Sequence, residues 1–378
     1  MVKGIYIICL ILILILPGCI FDIETAVHDQ EDEASSNIEL KLYFGTTTRA
    51  VIESEVGNND ENFLGLNEKN FKVAVFNGEG VYLGNFEPTE TYYPIAGENY
   101  VALLKGKLNK TLIGENPTLQ LMMLVNWYTF GNEYPENFYG KNLNDLYEDN
   151  ESYNYTMYGE NPTGSWKPSA REKKGIPMFG ISKKITLPED MVSEEDKETL
   201  KFSINLIRCM AKITVENNFK DEFGEAGYNI KSISLSKYNK KGTLIPHEWK
   251  DNWKEVTNPW LPKTESGEYD LNEGINLNLF KEADKEGENS EIWAVYIPEA
   301  DYYTGSGEKP VLNFTIEAGG KTFDKELPLF GDFNKESNGT LLRNNIYNYK
   351  ITIEKKNISL VYTVCPWYEG YNATFDYN

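Results

Sequence analysis

The stretch "NIELKLYFGTTTRAVIE", residues 37–53, decides how the chain is read. Ile38, Leu40, Leu42 and Phe44 alternate with Glu39, Lys41 and Tyr43, which is the period-2 stripe of a half-buried β-strand. A small polar run follows at once and ends in Arg49. The chain has only four arginines, Arg49, Arg171, Arg208 and Arg343, beside many lysines. A well-patterned core strand is thus followed by the first of the scarcest basic residues. Its meaning turns on whether that strand is kept or cut away.

Strand signals of the same kind recur through the chain, and almost no stretch has a helical period. The clearest are "FKVAVF" (71–76), "TLQLMMLVN" (118–126), "KKITL" (183–187), "RCMAKITVE" (208–216), "NIKSISLSKY" (229–238), "IWAVYIP" (292–298), "VLNFTIEA" (311–318), "NIYNYKITIE" (345–354) and "SLVYTV" (359–364). They are rich in Val, Ile, Thr, Tyr and Phe and are bounded by Gly, Asn and Pro. This predicts an all-β protein of antiparallel sheets packed face to face, in two β-sandwich domains in tandem. Charge interrupts the strands in "LPEDMVSEEDKETLKF" (187–202), which places the division between 38–195 and 196–378. Residues 131–165, rich in Tyr, Asn and Glu and without a period, are expected to be a surface insertion or irregular decoration.

The chain opens "MVKGIYIICLILILILPGCIFD", with Lys3 ahead of an apolar run over residues 5–16. Such a run spans ~18 Å as a helix, at ~1.5 Å per residue, against a hydrocarbon core of ~30 Å. It suits a signal peptide, residues 1–18, better than a membrane anchor. "LPGC" resembles the bacterial lipobox, in which the cysteine is lipidated and becomes the first mature residue, so Cys19 is the expected site of lipid attachment. Between Ile20 and Leu40 stand seven acidic residues and no Lys or Arg, a composition that stays extended and solvated. Residues 19–37 are therefore expected to be a tether. An acidic stretch after the lipid cysteine also resembles the surface-export signal of Bacteroidetes lipoproteins.

The formal net charge is −21, and removing residues 1–18 takes away only Lys3. A chain this acidic, with no basic stripe, repels nucleic acid. Cys209 and Cys365 are the cysteines left in the body. Cys209 lies in phase with Ile207, Ala211, Ile213 and Val215, which suits a buried thiol, while export would also allow the pair to be oxidised. Two histidines, His28 and His247, leave little material for His-based catalysis or a His-rich metal site, and no nucleophile elbow, phosphate loop or zinc-protease motif is present. "LYEDNES" (146–152) clusters oxygen ligands but lacks EF-hand spacing and its glycine. No enzyme activity, cofactor or metal is expected.

Several stretches, in order along nearly the whole mature chain, resemble the fimbrillin family of Bacteroidales, the lipoprotein subunits of type V pili. They are "LPGC" (16–19), "TTTRA" (46–50), "FKVAVFNGEGVYLG" (71–84), "LMMLVNW" (121–127), "GIPMFG" (175–180), "RCMAKITVE" (208–216), "IWAVYIPE" (292–299), "LLRNNIYNYKITI" (341–353) and "VYTVCPW" (361–367). The resemblance implies two transthyretin-like sandwiches and a precursor that reaches the outer-membrane surface through lipoprotein export machinery. There an arginine-specific or trypsin-like protease removes the anchor with the first strand, leaving the cell surface for the fimbria. The matching bond here is Arg49–Ala50, which makes 38–49 the removable segment, with Ile38, Leu40, Leu42 and Phe44 as its buried row. Family membership also implies identical or related subunits as partners, and adhesion to a host or bacterial surface ligand.

The tail "YEGYNATFDYN" carries the same stripe: Tyr371, Ala373, Phe375 and Tyr377 alternate with polar residues. Residues 371–378 therefore suit a strand donated to the next subunit, the mode of donor-strand complementation. They equally suit the last strand of their own sandwich. Two further readings stand beside the polymerising subunit. One is an anchor or tip subunit of the same fimbria. The other is a polysaccharide-binding surface lipoprotein that stacks sugars on the Tyr-rich 131–165 segment and on Trp127 or Trp166.

Overall fold

The computed structural model describes residues 35–44, 60–66, 70–93, 100–109, 116–131, 138–148, 150–159, 162, 164–187, 199–217, 228–246, 271–272, 276–282, 291–302, 309–330, 339–354, 357–366 and 373–375. In the first half the strands are β1 (Ser35–Phe44), β2 (Phe71–Asn77), β3 (Tyr82–Asn85), β4 (Pro88–Tyr92), β5 (Ala102–Asn109), β6 (Thr118–Val125), β7 (Asn154–Thr156), β8 (Met178–Ile181), β9 (Ile185–Thr186) and β10 (Leu200–Arg208). Among the described residues one short α-helix, α1 (Leu143–Glu148), interrupts them.

These strands follow one hydrogen-bonded path, β3-β2-β6-β8-β10-β1-β5-β4, with β9 beside β6. The path turns a corner at β10, whose residues Leu200 to Leu206 pair with β1 while Ile207 and Arg208 pair with β8. Its two limbs then face each other. Phe86, just past β3, lies so close to Gly106 of β5 that a Cβ there would stand 2.9 Å from the ring, which is why this strand position holds glycine.

The second half runs β11 (Met210–Asn217), β12 (Tyr228–Ser236), β13 (Tyr238–Asn239), β14 (Lys241–Thr243), β15 (Leu271–Asn272), β16 (Leu277–Asn278), β17 (Phe280–Lys281), β18 (Glu291–Pro298), β19 (Ala300–Asp301), β20 (Val311–Ala318), β21 (Lys321–Pro328), β22 (Thr340–Leu341), β23 (Asn345–Glu354), β24 (Asn357–Pro366) and β25 (Ala373–Phe375). A six-stranded sheet, β17-β18-β11-β23-β24-β25, accompanies a four-stranded one, β16-β12-β20-β21. The protein is all-β, as its period-2 patterns predict, and the buried rows of both halves join in one hydrophobic core. Two pairs depart from the antiparallel expectation: β1 with β10 and β11 with β23 run parallel. Parallel neighbours need a long crossover, and in each pair the intervening chain includes strands of the opposite limb or sheet as well as strands beside the pair itself, β4 and β5 in the first half and β17 and β18 in the second.

Three expected boundaries shift. The charged break at 195/196 lies ahead of β10, which still belongs to the first sheet. Partners change at Cys209, where "RCMAKITVE" divides into the end of β10 and the start of β11. The tether expected over 19–37 is shorter, because Ser35, Ser36 and Asn37 already pair with Asn109, Leu108 and Lys107; the backbone ladder runs past the apolar stripe. The 131–165 segment is not a surface decoration throughout. Phe138, Leu143, Leu146, Tyr153, Tyr155, Met157 and Tyr158 are buried in it, and β7 pairs with β14 across the two halves. Its tyrosines bury their rings because backbone carbonyls satisfy the hydroxyls: Tyr155 donates to Cys209 at 2.6 Å and Tyr158 to Tyr296 at 2.5 Å.

Candidate functional site

β1 lies inside its sheet, hydrogen-bonded on both sides. Along one edge Ile38 to Phe44 pair in parallel with Leu200 to Leu206 of β10; along the other, Ser35 to Leu42 pair antiparallel with Asn109 to Ala102 of β5. Ile38, Leu40 and Leu42 are fully buried, and Phe44 is half-buried against the same core. The inward neighbours of that row are Ala102, Leu104 and Gly106 on β5 and Leu200, Phe202, Ile204 and Leu206 on β10. Outside, Lys105 reaches Glu39 at 3.1 Å, and the Lys41 ammonium sits 5.1 Å from the centre of the Tyr100 ring.

Withdrawing such a strand has a definite physical result. Strands are spaced ~4.8 Å apart, so β5 and β10 would be left roughly 9.6 Å apart with facing rows of unpaired N–H and C=O groups. The three fully buried side chains each contribute about 1.5–3 kcal/mol by burial, and that apolar surface would return to water. The gap has the shape and chemistry of a seat for another strand.

Arg208 closes one end of this seat. The inward row of β10, Leu200-Phe202-Ile204-Leu206, continues one step to Arg208, which is buried and holds its guanidinium 5.0 Å from the centre of the Phe44 ring. Its Nη2 donates to Asn62 Oδ1 at 2.7 Å, and its backbone N–H donates to Asn344 Oδ1. Burial pulls the guanidinium down to about 10, partly offset by the nearby Glu61, so it stays charged at neutral pH.

Asn62 belongs to a short stretch that is tied firmly to the body. Glu61 is buried; Lys212 donates to its Oε1 at 2.7 Å and the Tyr296 hydroxyl donates to the same oxygen. Burial alone would raise the Glu61 carboxyl, but the Lys212 ammonium and these two hydrogen bonds hold it below the usual range. Lys212 also reaches Glu282 at 2.5 Å, and the two carboxylates outweigh its burial and raise it. Asp60 accepts from the Ala170 N–H, and Asn126 bonds Gly65, Phe63 and Ile176. The chain beyond Arg49 is therefore fixed to the body from Asp60 onward.

Of the residues singled out by sequence, the structure brings together Ile38, Leu40, Leu42 and Phe44 on one face. Cys19, Arg49, Ala50, Tyr371, Tyr377, His28 and His247 lie outside the described residues. Ala373 and Phe375 lie on β25, which adds to the edge of its own second-half sheet: Phe375 pairs with Tyr362 and Ala373 with Val364 of β24. Cys209 is a buried free thiol whose Sγ donates to Leu244 O at 3.3 Å; burial pushes it up to about 12, which makes it inert. Cys365 lies on β24.

The sugar-stacking residues fare differently. Trp127 is buried beneath Lys72, and Trp166 packs edge-on against Tyr296. Among the described residues Tyr139 is the large aromatic left most open, at 74 % exposure. In the 146–152 stretch Leu146 points into the core from α1, and residues 150–152 begin a 3₁₀ turn. Sequence reasoning missed Arg208, Asn62, Glu61 and Lys212 as a group. Only Arg208 left a legible signal, as a charged residue in phase with an apolar row at a strand end.

No family model matches the chain, and no curated protein matches it by sequence. Solved structures do. The tip fimbrial protein Mfa3 from Porphyromonas gingivalis, with a C-terminal truncation, aligns over 88% of this chain and 100% of its own at 16% identity, with a TM-score of 0.49. A fimbrial assembly protein from Parabacteroides distasonis aligns over 87% of this chain and 95% of its own at 15% identity and a TM-score of 0.42. The fimbrial anchor protein Mfa2 from Porphyromonas gingivalis covers 88% and 98% at 9% identity and 0.34. The structures to which this chain is similar are thus fimbrial proteins of Bacteroidales.

Proposed function

We propose that this chain is a structural subunit of a cell-surface fimbria, exported as a lipoprotein on Cys19, cut between Arg49 and Ala50, and polymerised by strand replacement. The observation that carries this reading is the place of β1: an inner strand with a fully buried row, followed directly by the segment that holds Arg49. Cutting there releases β1 without touching the body, which is held from Asp60 onward. The open seat then takes the tail of a second copy, with Tyr371, Ala373, Phe375 and Tyr377 as its inward row. A head-to-tail contact of this kind does not close on itself and propagates as a filament. The fibre serves adhesion.

One observation favours a second reading, a terminal subunit of the same fibre. Ala373–Phe375 pairs with β24 of its own chain, so the tail must leave that edge before it is donated. Among the described residues, the three of β25 hold it there, a short pairing that makes release cheap.

The deciding experiment is intact mass and N-terminal sequencing of the native protein, taken separately from the sheared surface fraction and from membranes. A sheared species beginning at Ala50, with an acylated Cys19 form in membranes, is the expected result. Only the acylated, uncut chain in both fractions overturns strand removal and leaves an anchor. Arg-specific proteolysis in solution should likewise cut at Arg49 and spare Arg208 and Arg343, which are buried, while Arg171, exposed in the turn closed by the Ser169–Lys174 bridge, is the competing site that the mass separates from it.

A further inference from the structure

We infer that Arg208 fixes the register and direction of the incoming strand by receiving an aromatic ring in the seat that Phe44 vacates, and that the ring is Tyr377 of a second copy of this chain. The inference rests on the strand-replacement reading above. Four inward seats at two-residue spacing are emptied with β1, those of Ile38, Leu40, Leu42 and Phe44. The tail offers four inward side chains at the same spacing, Tyr371, Ala373, Phe375 and Tyr377.

A strand running in the direction of β1 restores both lost ladders, parallel to β10 and antiparallel to β5. It puts Tyr371 in the Ile38 seat, beside Gly106, where the Phe86 ring covers the strand in place of a side chain from β5. It puts Tyr377 in the Phe44 seat beneath the guanidinium.

The seat survives the cut. Arg208 is held by Asn62, and Asn62 lies on the body side of Arg49, next to Glu61 in its buried bonds with Lys212 and Tyr296. Removing β1 therefore takes away the ring and leaves the guanidinium aimed at the space. A buried cation at the end of an apolar seat is stabilised by a ring face, to which it is attracted by the ring quadrupole. An aliphatic residue of similar bulk fills the volume but lacks that attraction. A strand shifted by two residues, with Phe375 in the Phe44 seat and Tyr377 outside, loses one apolar contact at the other end. The four-seat match and the cation select the same register.

The test uses the whole chain, treated with an Arg-specific protease in the presence of labelled peptides spanning residues 368–378, so that a peptide replaces β1 as it leaves. Native and Tyr377→Leu peptides compete for one preparation, and the captured ratio is read by mass. The native peptide is expected to win by about ten-fold, and Tyr377→Phe to match it. On an Arg208→Met chain the preference for tyrosine over leucine should fall to within about two-fold. If the Arg208→Met chain does not fold, the contrast among the native, Tyr377→Phe and Tyr377→Leu peptides on the native chain decides. Equal capture of the native and Tyr377→Leu peptides overturns the assignment of Arg208 while strand replacement stands. A ten-fold loss from Tyr371→Leu instead of Tyr377→Leu overturns the direction. Capture of no peptide by the cut native chain overturns strand replacement itself, and this inference with it.

Discussion

The two halves solve the same packing problem with strands of different standing. In the first, β1 completes the sheet between β5 and β10, and among the described residues nothing N-terminal to it belongs to the body. In the second, β23 lies in the equivalent kind of position, parallel to β11 on one side and antiparallel to β24 on the other. It is joined in both directions to strands of its own half. A single cut beyond β1 leaves that strand held by non-covalent contacts alone. No single cut does the same to β23.

The charges near these strands differ in the same sense. Arg343, just before β23, is enclosed by protein that stays: its Nε donates to Glu299 at 2.8 Å, Nη1 to Leu244 O at 3.1 Å, and Nη2 to Thr243 and to Glu299. Burial alone would lower this guanidinium, but Glu299 raises it above its ordinary value. Arg208 instead shares its environment with Phe44, on the strand that the proposed cut would free. One half keeps its buried cation sealed by its own strands, and the other covers its cation with a ring that the proposed strand removal would withdraw.

The largest effect is expected from Glu299→Ala, which leaves Arg343 buried without its carboxylate and should cost about 3–5 kcal/mol in chemical denaturation. The sharpest contrast comes from Leu42→Ala set against Ile351→Ala. Both side chains are buried, and each truncation should cost about 3 kcal/mol in the uncut chain. After the Arg49 cut and strand replacement, only Ile351→Ala should keep its cost. Persistence of the Leu42→Ala penalty in the fibre would mean that β1 never left.

Glu61→Gln should cost about 2 kcal/mol at neutral pH by weakening hydrogen bonds to a charged group. Its carboxyl is held below the usual range in the folded protein. The associated stability is therefore present above an unfolded value of about 4.3 and is lost as pH falls through the folded one. Denaturation midpoints compared at neutral and acidic pH should show a shallower acid decline in Glu61→Gln. The smallest effect belongs to Tyr155→Phe, which removes one hydroxyl bond to Cys209 O across the halves at about 1 kcal/mol.

Much of this comparison can be read from period-2 patterns. The stretches at 38–44, 71–76, 118–126, 292–298 and 345–354 all fall on observed strands: β1 alternates with one face in the core, whereas β2, β6 and β18 are buried on both faces and show as runs of β-formers. β5, the neighbour of β1, is harder to see. Its inward row reads Ala102, Leu104, Gly106, Leu108, and the packing of Phe86 forces the glycine that breaks the pattern. β21 escapes for the opposite reason: Lys321, Thr322, Asp324, Lys325 and Glu326 are exposed, so no apolar alternation marks it. The pairings of the buried charges are illegible because the partners are remote in sequence; Glu61 meets Lys212 and Tyr296, and Arg208, itself legible by its phase, meets Asn62. The tyrosines of 138–158 resemble a surface until their backbone partners are known.

The parallel pairing of β1 has a kinetic corollary. Ile38 finds its place against Leu200, so the first of the described strands cannot be seated on that side until β10 exists. Contacts this distant close late, since the ordering cost of the loop precedes any reward from the ladder. Until then β1 has at most β5 beside it, and its stripe lacks the neighbours Leu200, Phe202, Ile204 and Leu206. The exported precursor proposed above would, built this way, delay its own collapse and stay threadable through a translocation pore. The late-arriving strand is also the one that a single cut sets free.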